Sequence, residues 1–139
     1  IKSPDDLEPY QTRMEPDVYK RCLYVVQEIH RTQEAAHLLK GNKREDFGML
    51  MFATHEGLSH LYNVSCKELD FLVDEAKKNR DVIGSRMMGG GFGGCTINII
   101  KEFAVQSFTE QATKAYKEKF HIDPQVFNVH IVDGTHQIF

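Results

Sequence analysis

The chain has 139 residues, 41% of them hydrophobic and 27% charged, with four prolines and a net charge of −3. Such a length suits one ordinary domain that buries about two-thirds of its unfolded surface. The composition excludes disordered and fibrous classes, and the mild acidity gives no reason to bind nucleic acid.

In chain order, a polar lead-in comes first. Pro16 then sits where helix first turns favour it, and Val18, Cys22, Val25, Ile29, Ala36 and Leu39 follow at helical spacing, predicting a helix that ends near Gly41. Asn42 is a candidate cap for a second helix with Phe47, Leu50, Met51, Thr54, Leu58 and Leu61 on one face, and the pair is expected as an antiparallel hairpin over about 16–61. "SCKE" has capping-box form, with Ser65 and Glu68 as its arms, ahead of a third helix running to about Asn79. From Asp81 the period changes. Val82 to Met88 and Cys95 to Lys101 read as strands, joined by "GGGFGG" as a long hairpin turn. Glu102 to Phe120 is helical again, with Val105, Phe108, Ala112, Ala115 and Lys119 on one side. "DPQ" is a turn, and "VFNVHIV" alternates as a closing strand with Phe127, Val129 and Ile131 on one face, ended by Asp133 and Gly134.

The expected fold is therefore α+β, a single domain over 1–139 with helices packed on an antiparallel sheet. Its last five elements match a ferredoxin-like β-α-β-β-α-β unit over about 65–134 that lacks its first strand. The chain begins at Ile1 rather than methionine, which fits a piece of something larger. No apolar run approaches the roughly 20 residues that span a bilayer, and "IKSPDDLEPY" lacks the apolar core of a signal peptide, so no membrane partner and a cytoplasmic location are expected. Cys22, Cys66 and Cys95 are odd in number and contain no C-x-x-C pair, so they are expected as small buried apolar residues.

The glycine run carries the functional signal. Gly89, Gly91 and Gly94 satisfy G-x-G-x-x-G, but the dinucleotide fingerprint needs a helix to open after them, and "CTINII" is a strand. No G-K-[ST] closes the run as a phosphate-binding P-loop would require. A hairpin turn needs only one or two glycines for positive φ. The segment Gly89, Gly90, Gly91, Phe92, Gly93, Gly94 instead offers bare backbone against which a ligand can lie, with successive N–H groups able to form an anion nest. Phe92 is expected as a plug into neighbouring apolar surface. A turn that merely happens to be glycine-rich is the competing reading.

"SRMMGGGFGGCTINI" resembles the third signature of the galactokinase family, within the GHMP small-molecule kinases, whose usual form is close to R-M-T-G-A-G-F-G-G-C. The likeness continues through "HEGLSHLYNVSCKELDFLVDEA" and "YKRCLYVVQEIHR", covering roughly residues 17 to 134. Met88 and Gly90 stand in place of the usual threonine and alanine. Gly57 and Ser59 replace a serine and an arginine, and Tyr24 and Ile29 a histidine and an asparagine. The resemblance implies ATP-dependent transfer of a γ-phosphoryl group to the C1 hydroxyl of D-galactose, with Mg²⁺. In that family the ATP-cradling P-x-x-x-G-L-S-S-S-A loop, the aspartate near the sugar hydroxyl and its partner arginine lie in the N-terminal half, and none of these motifs occurs here. The resemblance thus implies a C-terminal domain that carries no catalytic residue and no metal ligand. ATP and Mg²⁺ would be held mainly by the missing half, and Gly89 to Gly94 would line the substrate and phosphates. Such a fragment is expected to be inactive alone, and to self-associate or bind its missing half.

Other motifs carry less. "DFG" at Asp46 to Gly48 falls on a predicted helix with Phe47 on its apolar face, and no other protein-kinase signature accompanies it. "HEGLSH" has one residue too many for H-E-x-x-H, which sends His55 and His60 to different helix faces. Asn63 to Ser65 forms a glycosylation sequon, meaningful only on a secreted chain. A non-catalytic sugar sensor on the same scaffold, a kinase for another sugar and a stand-alone interaction module stay open at this point.

Overall fold

Ser3 opens the chain by capping a short helix, α1 (Pro4–Leu7), in a capping box with Asp6. The backbone amides of Lys2 and Ser3 hold the Asp6 carboxyl below its ordinary range. The helix seats Leu7 at 1% exposure, so the polar lead-in anchors one of the most buried side chains. A 3-10 turn (Glu8–Arg13) leads to α2 (Pro16–Lys40), with Pro16 in its first turn and Gly41 at its C-cap, as the sequence indicates. The computed structural model describes residues 1–132 and 134.

Helix α3 (Arg44–His60) returns alongside α2. Thr54 donates to Glu28 at 2.9 Å, and Tyr24 covers Gly57, so residue numbers run in opposite directions across the contact. The hairpin is antiparallel as expected. Asn42 does not cap α3. Lys43 holds that position, while Asn42 takes a left-handed φ of 54° and its side chain accepts from Arg44. Asn tolerates that conformation, which the tight reversal after α2 requires.

Helix α4 (Lys67–Lys78) starts at Cys66 without a side-chain cap. The expected capping box is replaced because Ser65 donates to the Asp70 carboxylate at 2.5 Å, a charge-assisted bond stronger than one to a neutral partner. Strands β1 (Val82–Met88) and β2 (Cys95–Ile100) then pair antiparallel, from Val82 with Ile100 to Met88 with Cys95, with one bulge between Val82 and Gly84. Lys101 and Asp81 close the base of the hairpin through a backbone bond and an ion pair, each at 3.0 Å. A 3-10 turn (Glu102–Ala104) leads to α5 (Val105–Phe120), which ends at a left-handed His121.

The expected α+β class holds, with helices packed on an antiparallel sheet that has two strands among the described residues. The closing strand does not form. Residues 121–132 carry no strand pairing, and Phe127, Val129 and Ile131 are 75%, 75% and 103% exposed. Alternation supplies a strand-like face, but a strand also needs a ladder partner, and none of the described residues provides one. Asp133 lies outside the described residues. The cysteines also depart from expectation, since Cys95 is exposed and Cys22 and Cys66 are half-buried.

The core forms around β1, against which both α3 and α4 pack. Leu69, Val73 and Ala76 of α4, Val82 and Met87 of β1, and Phe108 and Ala112 of α5 are all buried. On the α3 side the approach is closer than side chains permit. A Cβ on Gly48 would stand 1.9 Å from the Ile83 carbonyl oxygen, and one on Gly84 would stand 2.6 Å from the Gly48 Cα.

Alanine in mid-helix ordinarily gains about 1 kcal/mol over glycine. At Gly48 that gain is outweighed, because the clash is with backbone that cannot rotate away. Gly48→Ala is expected to destabilise the chain by about 3 kcal/mol, the upper part of the overpacking range. Urea denaturation checks this, with Gly41→Ala as a control, since its added methyl meets its nearest atom at 3.4 Å.

Candidate functional site

The loop Gly89 to Gly94 links β1 to β2, so the strand register brings all six expected residues together. Gly89, Gly91, Gly93 and Gly94 have φ of +89°, +84°, +133° and +97°. A non-glycine residue would be strained at each. The loop has an anchored side and an open side. On the anchored side a Cβ at Gly91 would stand 2.1 Å from the Val64 carbonyl oxygen, and the Phe92 amide donates to that oxygen at 2.7 Å. On the open side, a Cβ at Gly89, Gly90 or Gly93 would meet nothing within 4 Å. Gly90 is outside the positive-φ set, so no positive φ calls for glycine there.

Phe92 corrects its expected role. It is 78% exposed and plugs into nothing. With Gly91 seated on Val64 and Phe92 left-handed at φ 58°, the backbone rather than the ring makes the contact. The described hydrogen bonds take up only the Phe92 amide among the six loop residues.

Val64 is itself fixed from behind. The amides of Leu61 and Tyr62 donate to Gly57 and that of Val64 to Leu58, wrapping the segment onto the end of α3. A second support comes through His55, which is 3% exposed. Its Nδ1 accepts the Met87 amide at 3.2 Å, and its Nε2 lies 3.2 Å from Asp70 Oδ1. These partners define a neutral imidazole with its proton on Nε2. Asp70 also accepts from Ser65 at 2.5 Å and from Ser59 at 3.2 Å. Asp70 thus ties α3, the segment before α4, and the end of β1 together.

Sequence reading missed this cluster. His55 falls at helical spacing between Met51 and Leu58 on the buried face of α3, which was a signal. Asp70 gave none, because its partners lie elsewhere in the chain. His60 points to different surroundings from His55, with its side chain 72% exposed and paired with Glu56 at 3.1 Å. Among the described residues no group of histidine, cysteine or carboxylate side chains is placed to hold a metal. No helix there is long and apolar enough to cross a membrane.

Burial pushes the His55 pKa below the ordinary histidine value of 6.5, outweighing the opposite pull of the Asp70 charge, while Lys77 lowers it further and Glu56 raises it. At His55 the unfolded chain therefore binds more protons than the folded one as pH falls through 6.5. Stability is lost as pH falls from the unfolded value toward the lower folded value. We expect the unfolding free energy of the chain, relative to that of His55→Asn, to increase with pH and level off above about 6.5 in urea titrations. A difference independent of pH would contradict a buried neutral His55.

The family described as GHMP kinases C terminal matches residues 35–118. The galactokinase of Thermotoga neapolitana is 39% identical over 88% of this chain and 35% of its own length. That of Clostridium beijerinckii is 43% identical over 89% of this chain and 32% of its own. Among solved structures, Lactococcus lactis galactokinase complexed with galactose superposes with a TM-score of 0.83 at 30% identity, over 87% of this chain and 31% of that one. Mevalonate kinase of L. major, in complex with R-mevalonate, shares the fold at a TM-score of 0.57 and 20% identity. The chain spans about a third of the length of the curated relatives it matches. A helical hairpin, a two-stranded antiparallel sheet and a glycine loop in this order, together with that match, show that the chain belongs to the GHMP kinase C-terminal family.

Proposed function

We propose that this chain is the C-terminal part of a galactokinase, and that its glycine loop forms one wall of the cleft in which ATP and D-galactose meet. The observation that carries the reading is the open side of the loop, where Gly89, Gly90 and Gly93 present backbone with no side chain between it and a ligand. The likeness to galactokinases from several species, at 36–43% identity over most of the chain, supports the choice of sugar.

ATP with Mg²⁺ supplies the phosphoryl group and neutralises its charge. Phosphoryl transfer otherwise asks a protein for positioning and electrostatic stabilisation. The loop contributes to both. Its unused N–H groups carry partial positive charge toward phosphate oxygens, and its lack of side chains permits close approach. Its anchoring on Val64 keeps those groups in place without reorganisation during the reaction. Among the described residues no group of three or more histidine, cysteine or carboxylate side chains is placed to hold a metal ion. The metal and the proton-accepting side chain belong, in this reading, to the remainder of the longer protein.

Two surfaces suit contact with that remainder. Val25 and Ile29 on α2 are 42% and 54% exposed, beside Tyr24 and Tyr62 in an apolar groove. The segment around Phe127 to Ile131 alternates in sequence and exposes its apolar side chains, which suits a strand that gains its partner in the longer protein. Alone, the chain would cover these surfaces by self-association, whereas the longer protein would act in the cytoplasm as part of galactose metabolism.

A coupled assay of ADP release with galactose and ATP tests the proposal. We expect turnover by the longer protein and none by the 139-residue chain alone. No turnover in the longer protein, with both ligands still bound, would replace the kinase by a sensor. Turnover by the isolated chain would overturn the division of labour.

A further inference from the structure

Met87 lies just before the glycine loop and Phe92 within it, and each has its amide held by a group that leads back to Asp70. On one route Asp70 Oδ1 lies 3.2 Å from His55 Nε2, and His55 Nδ1 accepts the Met87 amide at 3.2 Å. On the other, the same oxygen accepts from Ser65 at 2.5 Å, and Ser65 follows Val64, whose carbonyl accepts the Phe92 amide at 2.7 Å. Ser59 occupies the second carboxylate oxygen at 3.2 Å. Neither Asp70 nor Ser65 touches the loop itself. We infer that Asp70 is a positioning residue that sets the glycine loop from two directions at once, through His55 at the end of β1 and through Ser65 and Val64 at the loop's anchored side.

The geometry favours one hub over independent contacts. Oδ1 serves both routes, so displacing it disturbs the strand end and the loop anchor together. Polar networks rigidify when fully satisfied, and every side-chain polar atom of the buried His55 and the part-exposed Asp70 has a partner here. The consequence for phosphoryl transfer rests on the reading of the loop given above, whereas the structural inference does not. The test is chosen accordingly and reads no activity.

Amide hydrogen exchange, followed by NMR on the 139-residue chain, resolves the two routes. Ser65→Ala is expected to speed exchange at Phe92 about tenfold and leave Met87 within about twofold, since only the second route is cut. Asp70→Ala is expected to speed both by about tenfold or more. Asp70→Asn keeps an oxygen for both donors, and the Ser59 hydroxyl can turn to accept from the new amide, so exchange at both positions should return to within about threefold of the parent. Should Asp70→Ala unfold the chain, Ser65→Ala and Asp70→Asn still decide. An unchanged Phe92 in Ser65→Ala, or an Asp70→Asn chain as loose at both amides as one lacking the interaction, overturns the inference.

Discussion

The contact on which the rest of this structure depends is the approach of α3 to β1 through Gly48 and Gly84, where the Gly84 Cβ position falls 2.6 Å from the Gly48 Cα. From Gly48 to His55 the helix advances two turns, about 10 Å. From Gly84 to Met87 the strand advances nearly the same distance, about 10 Å. The contact that permits backbone to meet backbone at one end therefore brings His55 beside the Met87 amide at the other, at 3.2 Å. A larger residue at Gly48 or Gly84 would lift the helix from the strand, and the buried imidazole would lose its partner.

From that alignment the site follows. The end of α3 carries the wrapped segment Leu61 to Val64, and Val64 offers its carbonyl to the loop. Gly91 is bare because a carbonyl oxygen occupies the place of its side chain. At Gly90, by contrast, nothing fills the space beside it, and it is not among the positive-φ glycines. One glycine is explained by the fold, and the other stands where the loop is open.

Much of the fold was legible because it is local. Pro16 and Gly41 bound α2, and β-branched residues flanking the glycine run mark β1 and β2, all of which stand where spacing put them. The glycine loop was legible as a contiguous string. Features set by distant partners were not. Ser65 gave up its capping role to Asp70, Phe127 to Ile131 found no ladder among the described residues, and Phe92 turned outward once Gly91 took the contact. Leu7 sits in a polar stretch that hides a buried residue, although "SPDD" spells a capped helix start.

The central claim, that the open side of the loop is empty so that substrate can lie on it, is tested most directly at Gly90, where an added Cβ meets nothing within 4 Å. In the longer protein, Gly90→Val should lower kcat/KM for ATP or galactose by at least about tenfold, or about 1.4 kcal/mol, while the thermal unfolding midpoint stays unchanged. Unaltered kinetics with a folded Gly90→Val protein would contradict the account and return the loop to the status of a turn.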